Sequence, residues 1–302
     1  MTSSPEVYHK ILPQIRRQSV PGGATVLGVH VEGPFISLDK RGAHRAEFVQ
    51  ATPLEKIEQI EATLPDMDNV SIITIAPELD KGNVIAQLIK KPGLMVSLGH
   101  SSAKLAESEK AFNDGARMIT HLFNAMPVFH HRDPGLLGLL TVESKRQIYF
   151  GIIADGIHTH YSALRLAYQA NKTGMVLVSD AISAAGLSSG VHKIGPQKVE
   201  IKDNRALIAD TGILCGAIMM LDQCVKFMRN HVPCPLVDVI NCATLHPAQV
   251  IECQKTKGTL NFDSDADFIL LNDDLDVLAT FVNGKLVFNS TKNPLDFNKL
   301  ND

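Results

Sequence analysis

The chain has 302 residues, 45% of them hydrophobic and 20% charged, with a formal net charge of −3. That balance fits a globular protein of one large domain or two ordinary ones. It excludes a general attraction for nucleic acid or acidic membranes, and no apolar run reaches the ~20 residues of a spanning helix.

The N-terminal stretch MTSSPEVYHK has no signal-peptide core. The first strand signal is TVLGVHVE, residues 25–32, an apolar run that ends on Glu32 before Gly33-Pro34. A buried, unpaired carboxylate is costly, so Glu32 either meets a partner cation or holds a metal. TPLEKIEQIEATL, residues 52–64, predicts a helix opened by a capping box of Thr52 and Glu55 with Pro53 at its first position. Leu54, Ile57, Ile60 and Leu64 would share its buried face.

Five further strands follow: VSIITIAPE (70–78), LMVSLGH (94–100), MITHLFN (118–124), IYFGIIAD (148–155) and MVLVSD (175–180). Their near-continuous Val, Ile and Leu predict a sheet covered on both faces. SAKLAESEKAFNDG (102–115) and YSALRLAYQANKTG (161–174) predict intervening helices. Strand–helix alternation of this kind makes parallel βαβ units. Beyond Asp180, QKVEIKDNRALIAD (197–210) predicts a small hairpin over the site, and helices are expected near 216–230 and 235–251. The stretch 258–288 predicts antiparallel strands with Asn283-Gly284 as a hairpin turn. The five cysteines form no CxxC pair. This argues against a disulfide framework and for a reducing, cytoplasmic setting.

In a parallel α/β enzyme, functional groups gather at the C-terminal ends of the strands. Those ends here present Glu32, Glu78, His100, His121, Asp155 and Asp180. Two imidazoles and a carboxylate form a common hydrolytic metal set that leaves a position for water. A further carboxylate must then carry the proton, and Asp180 is the best placed. Each residue has a plainer reading too. A strand-end histidine is usually satisfied locally, and Asp180 could cap the next turn. Arg132 and a helix N-terminus near His158 and His160 suit a phosphate, although Arg132 could simply pair with Asp133 on the surface. His44 could polarise a carbonyl. His130, His131 and His160 read as loop residues.

Taken together, GVHVEGPFIS, KRGAH, VSLGHS, THLFNAM, HRDPG, IADGIH and VSDA resemble, in order, the N-acetylglucosamine-6-phosphate deacetylases of the amidohydrolase superfamily. LHPA and GTLNFDSDADFILL match that family's closing region, so the resemblance runs from residue 5 to about 288. It implies one divalent metal, zinc, on Glu32, His100 and His121, with Asp180 as general base and acid and His44 polarising the acetyl carbonyl. It implies that Asn124, Ala125, Arg132 and His158 hold a phosphorylated amino sugar, in a homodimer with a shared phosphate site. The activity implied is release of acetate and glucosamine 6-phosphate in amino-sugar catabolism.

The family also implies a TIM-like (β/α)8 barrel with a small β-sandwich. Six strands are counted here, which predicts strands three to eight of the barrel, without the first two. The domains expected are a hydrolase barrel over 1–250, C-terminal strands of the small β domain over 251–290, and a frayed tail over 291–302. Missing strands would leave open edges, so a non-catalytic shortened chain that is unstable or needs a partner is the alternative. A different amidohydrolase, such as one opening cyclic amides with two metals, is a further alternative. Ala217 stands where the family commonly has a small hydroxyl residue, which puts the substrate-facing loop around Cys215 in question.

Overall fold

The computed structural model describes residues 2–64, 67–195 and 197–291. Most of the expected frayed tail, residues 292–302, lies outside the described residues. Six strands form one parallel sheet in sequence order: β1 (Val29–Glu32), β2 (Val70–Ile75), β3 (Met95–Leu98), β4 (Met118–Ile119), β5 (Tyr149–Ile152) and β6 (Met175–Leu177). Helix α1 (Pro5–Ile11) precedes β1. Helices α2 (Glu58–Thr63), α3 (Val84–Leu88), α4 (Leu105–Asn113) and α5 (Tyr161–Ala170) connect the strands, with a tight helical run at Gly135–Thr141 between β4 and β5. This is the architecture of a TIM-like α/β barrel with six strands. β1 and β6 each have a neighbour on one side only among the described strands.

The two-residue strand period sorts the sheet into two faces. Val31, Ile73, Ile75, Val96, Leu98, Ile119, Phe150, Ile152, Met175 and Leu177 point outward into one large core with Ile60, Leu88, Phe112 and Leu164 of the helices. Each such buried aliphatic or aromatic side chain contributes about 1.5–3 kcal/mol. On the inner face, Met95, Met118, Tyr149 and Val176 pack with Val250 into a second, smaller cluster. One layer above, a polar chain crosses the sheet. His30 Nε2 lies 2.8 Å from Thr74 Oγ1, Thr74 Oγ1 lies 2.8 Å from Thr120 Oγ1, and Ser97 Oγ lies 2.6 Å from Thr120 Oγ1. The strand-end residues stand above this layer.

After β6 come β7 (Gly190–Ile194), β8 (Gln197–Lys202) and β9 (Arg205–Ile208): β8 and β9 form the hairpin expected, and β7 adds a third antiparallel strand beside β8. Its Val199 and Ala206 pack with Ala43 and Ile182, so it bridges the segments that carry His44 and Asp180. Helices α6 (Leu221–His231), α7 (Leu236–Ala243) and α8 (Leu245–Val250) follow, then the antiparallel strands β10 (Phe268–Leu271), β11 (Val277–Val282) and β12 (Lys285–Asn289). Asn283 and Gly284 have φ of 49° and 72° between the paired Val282 and Lys285, the left-handed turn expected.

Three helix boundaries differ from expectation. α2 starts at Glu58, not near Thr52, because Leu54 is taken as a parallel bridge partner by Asp80 and its backbone is bonded to Leu79, Lys81 and Gly82. The expected apolar face survives: Leu54, Ile60 and Leu64 are all buried. α6 starts at Leu221, because Ala217 pairs with Ala181 instead of coiling. The helix expected over 235–251 breaks at Thr244, just ahead of His246 and Pro247. Pro247 has no N–H to give, and His246 instead reaches the Met175 carbonyl through Nδ1 at 2.7 Å.

Asp80 has a second duty. Its buried carboxylate accepts the backbone N–H groups of Val84 at 2.7 Å and Ile85 at 3.1 Å, filling the open start of α3. Asp80→Ala is therefore expected to destabilise the chain by about 1–3 kcal/mol in urea unfolding, with Asp80→Asn losing less. An unchanged midpoint in Asp80→Ala would contradict this role.

Candidate metal centre

Three residues from three strand ends converge. Glu32 closes β1, His100 lies two residues past β3, and His121 lies two residues past β4. Glu32 Oε1 is 3.0 Å from His100 Nε2 and 2.9 Å from His121 Nε2, and the two nitrogens are 3.0 Å apart. His100 and His121 are buried, and Glu32 is half-buried.

The protonation pattern makes this triangle informative. His100 Nδ1 lies 2.7 Å from the Lys40 carbonyl, which can only accept. If the ring holds a single proton, that proton is on Nδ1, and the Nε2 lone pair faces the Glu32 carboxylate. Lone pairs held 3.0 Å apart repel unless a cation or a shared proton lies between them. Ligands about 2.0–2.1 Å from a tetrahedral zinc would be separated by roughly 3.3 Å, close to the spacing seen. The donor set fits a divalent metal by chemistry and by spacing. His121 departs from the common pattern in that its buried Nδ1 has no partner among the described residues.

The electrostatics follow from the same contacts. Burial works to raise Glu32, but without a metal the facing His100, His121 and His44 rings outweigh it whenever they carry a proton toward the carboxylate, and its pKa falls well below the usual carboxylate range. Burial works to lower His121, yet the Glu32 carboxylate outweighs that too and raises it.

His44 joins on the far side, with Nε2 3.5 Å from Glu32 Oε2. Glu32, His44 and His100 also offer ligand atoms within 4.8 Å of one another. The closer triangle with His121 is the better metal set, because all three of its edges are 3.0 Å or shorter. The Thr2 N–H donates to His44 Nδ1 at 3.2 Å, and Thr2 Oγ1 lies 2.6 Å from the same atom. An N–H can only donate, so Nδ1 accepts and Nε2 bears the proton. Burial lowers the His44 pKa, which favours the neutral ring, while Glu32 works the other way.

Asp180 follows β6 at the mouth. Surrounding protein desolvates it and the Glu32 charge adds to this, so its pKa is raised, while His121, His158 and His100 partly offset the rise. Its carbonyl accepts the Ala217 N–H at 3.0 Å, which puts the Cys215–Ala217 segment directly beside it. His100, His121, Ala125 and Asp180 all have positive φ, at 47°, 27°, 51° and 48°. Non-glycine residues held there are strained, and such strain clusters at functional sites.

The other candidates are placed more loosely. His158 Nδ1 lies 2.6 Å from Asp155 Oδ2, while Asp155 Oδ1 accepts the N–H groups of Ile157 and His158. Asn124 and Ala125 sit in the turn just past His121, where the Asn124 N–H bonds the His121 carbonyl. Arg132 is exposed, with Nη1 3.3 Å from His131 Nε2. It does not pair with Asp133, which instead accepts the Leu105 N–H at the start of α4. His160 caps α5 by accepting the Ser162 N–H, a local role that the loop reading did not include. Sequence reasoning missed Thr2 and the role of Asp155. The carboxylate three residues before His158 was a usable signal for a local turn, whereas Thr2, 42 residues from His44, gave none.

The sequence profile of the amidohydrolase family matches residues 8–287. The N-acetylglucosamine-6-phosphate deacetylase of Rattus norvegicus is 48% identical over 292 residues, covering 95% of this chain and 71% of that protein. The Bacillus subtilis protein of the same name is 33% identical over 267 residues, covering 88% of this chain and 66% of its own. The crystal structure of the Thermotoga maritima N-acetylglucosamine-6-phosphate deacetylase superposes with a TM-score of 0.85 at 30% identity, covering 96% of this chain and 77% of that one. This chain belongs to the amidohydrolase family and, within it, to the N-acetylglucosamine-6-phosphate deacetylases.

Dialysis against zinc followed by elemental analysis is expected to leave about one ion per chain, with Glu32→Ala, His100→Ala and His121→Ala each losing it. Zinc retained by all three variants would contradict the assignment.

Proposed function

We propose that this member of the N-acetylglucosamine-6-phosphate deacetylases hydrolyses the acetamide of N-acetylglucosamine 6-phosphate to acetate and glucosamine 6-phosphate. The observation that carries the reading is the convergence of one carboxylate and two imidazole donors within 3.0 Å, with a proton-bearing His44 beside them. Glu32, His100 and His121 would hold one divalent ion, zinc by its affinity for nitrogen and oxygen donors. When bound, such an ion supplies Lewis acidity to the attacking water and the amide oxygen.

The remaining steps belong to side chains. His44 donates from Nε2 to the acetyl oxygen as negative charge builds there. Asp180 takes a proton from the attacking water as the carbon–oxygen bond forms. It returns that proton to the nitrogen as the carbon–nitrogen bond breaks. A raised pKa suits both halves of that shuttle, because the acid form must also be accessible.

Asn124, the Ala125 backbone, Arg132 and His158 are proposed to bind the sugar phosphate. The exposed position of Arg132, on a loop that also exposes Val128 and Phe129, supports a phosphate site completed across a homodimer. The Asp155 carboxylate holds His158 Nδ1, which leaves Nε2 to face substrate. We further propose that the barrel occupies 1–250 and the small β domain 251–290. Five unpaired cysteines support work in the reducing cytoplasm.

The test is acetate release from N-acetylglucosamine 6-phosphate by the zinc-loaded chain. Asp180→Asn is expected to lower kcat by about 100- to 10,000-fold while retaining zinc. His44→Ala is expected to lower it by about 100- to 1,000-fold. Parent-like turnover in Asp180→Asn would remove it from the proton-transfer role.

A further inference from the structure

β1, β3 and β4 lead into the three ligand candidates, but β2, which lies between β1 and β3, leads into none. Its carboxylate is Glu78, three residues past Ile75 in the tight turn Pro77–Leu79. Both oxygens of that carboxylate are used on the two residues after His100. Glu78 Oε2 accepts the Ser101 hydroxyl at 2.6 Å, and Oε1 accepts the Ser102 N–H at 2.6 Å. Hydrogen bonds to an ionised acceptor are the shorter and stronger class.

The turn they hold is a junction. The His100 carbonyl accepts the Ser37 N–H at 2.8 Å, from the loop that follows Glu32. The Ser101 N–H donates to the Ala125 carbonyl at 3.1 Å, from the loop that follows His121. Ser37 Oγ and Ser102 Oγ lie 3.1 Å apart, and Ser101 Oγ accepts the Ala103 N–H at 2.9 Å. Ser101 is fully buried, and His100 itself sits at a φ of 47°. A non-glycine residue is uncommon in that backbone region, and the bonds around the turn help to hold it there.

We infer that Glu78 is the positioning residue of the metal centre: by fixing the Ser101–Ser102 turn it aims His100 and ties together the loops after Glu32 and His121. The inference rests on the reading of Glu32, His100 and His121 as the metal set. Outer groups that orient ligands commonly change metal affinity about 10- to 100-fold when removed.

The experiment measures zinc affinity by chelator competition in the parent, Glu78→Ala, Glu78→Gln, Ser101→Ala and the Glu78→Ala/Ser101→Ala double variant. Glu78→Ala is expected to bind zinc about 10- to 100-fold more weakly, with the far-UV circular dichroism of the parent. Glu78→Gln, which keeps one acceptor oxygen, should fall between. The double variant should bind about as weakly as Glu78→Ala alone, because both changes remove the same bond. Should Glu78→Ala fail to fold, Glu78→Gln and Ser101→Ala carry the same comparison. Parent-like zinc affinity in Glu78→Ala would overturn the inference. Additive losses in the double variant would overturn it too. A parent chain that binds no zinc would fail the metal reading itself. A parent that binds zinc beside an unaffected Glu78→Ala would fail only the role of Glu78.

Discussion

The structure turns on one close approach: Glu32 Oε1 faces two imidazole nitrogens at 3.0 and 2.9 Å, and one of those rings, His100, spends its Nδ1 on the Lys40 carbonyl. Bringing a carboxylate and two rings out of water costs several kcal/mol per charge unless something compensates. A divalent cation held by the three would offset that cost and the repulsion of their lone pairs. Without such a charge, the arrangement would be a liability at the mouth of a well-packed domain.

The fold delivers this arrangement through a simple division of labour. Outward residues of the parallel strands form the core with the helices, and they are free to be Val, Ile and Leu. Inward residues are a small hydrophobic layer, then a layer of hydroxyls, then the functional groups. The chain leaves β3, β4 and β6 through a left-handed residue at His100, His121 and Asp180. The strain this costs is met by bonds between the loops, not by any single element. Thr2 sets the tautomer of His44 from one side, and the antiparallel sheet β7–β9 braces the His44 and Asp180 segments from the other.

Much of this was readable from the residues. Glu32, His100 and His121 each end or follow a run of Val, Ile and Leu, and a polar group there is conspicuous because the pattern otherwise forbids it. Asp180 was readable for the same reason. The apolar face of α2 was correct, while its start was not: Thr52, Pro53 and Glu55 satisfy a local rule that tertiary pairing of Leu54 with Asp80 overrides. The surface pairing of Arg132 with Asp133 failed because Asp133 is needed by the backbone at the start of α4. Contacts such as Thr2 with His44, or Glu78 with Ser101, join residues 42 and 23 positions apart and leave no periodic trace in the sequence.

The central claim is that the converged carboxylate and imidazoles hold a divalent metal. Zinc K-edge X-ray absorption on the zinc-loaded chain tests it most directly. The account predicts a first shell of nitrogen and oxygen at about 2.0–2.1 Å with the outer-shell scattering of two imidazole rings. A spectrum with no imidazole scattering, or one unchanged when His100 and His121 are both replaced by alanine, would contradict it.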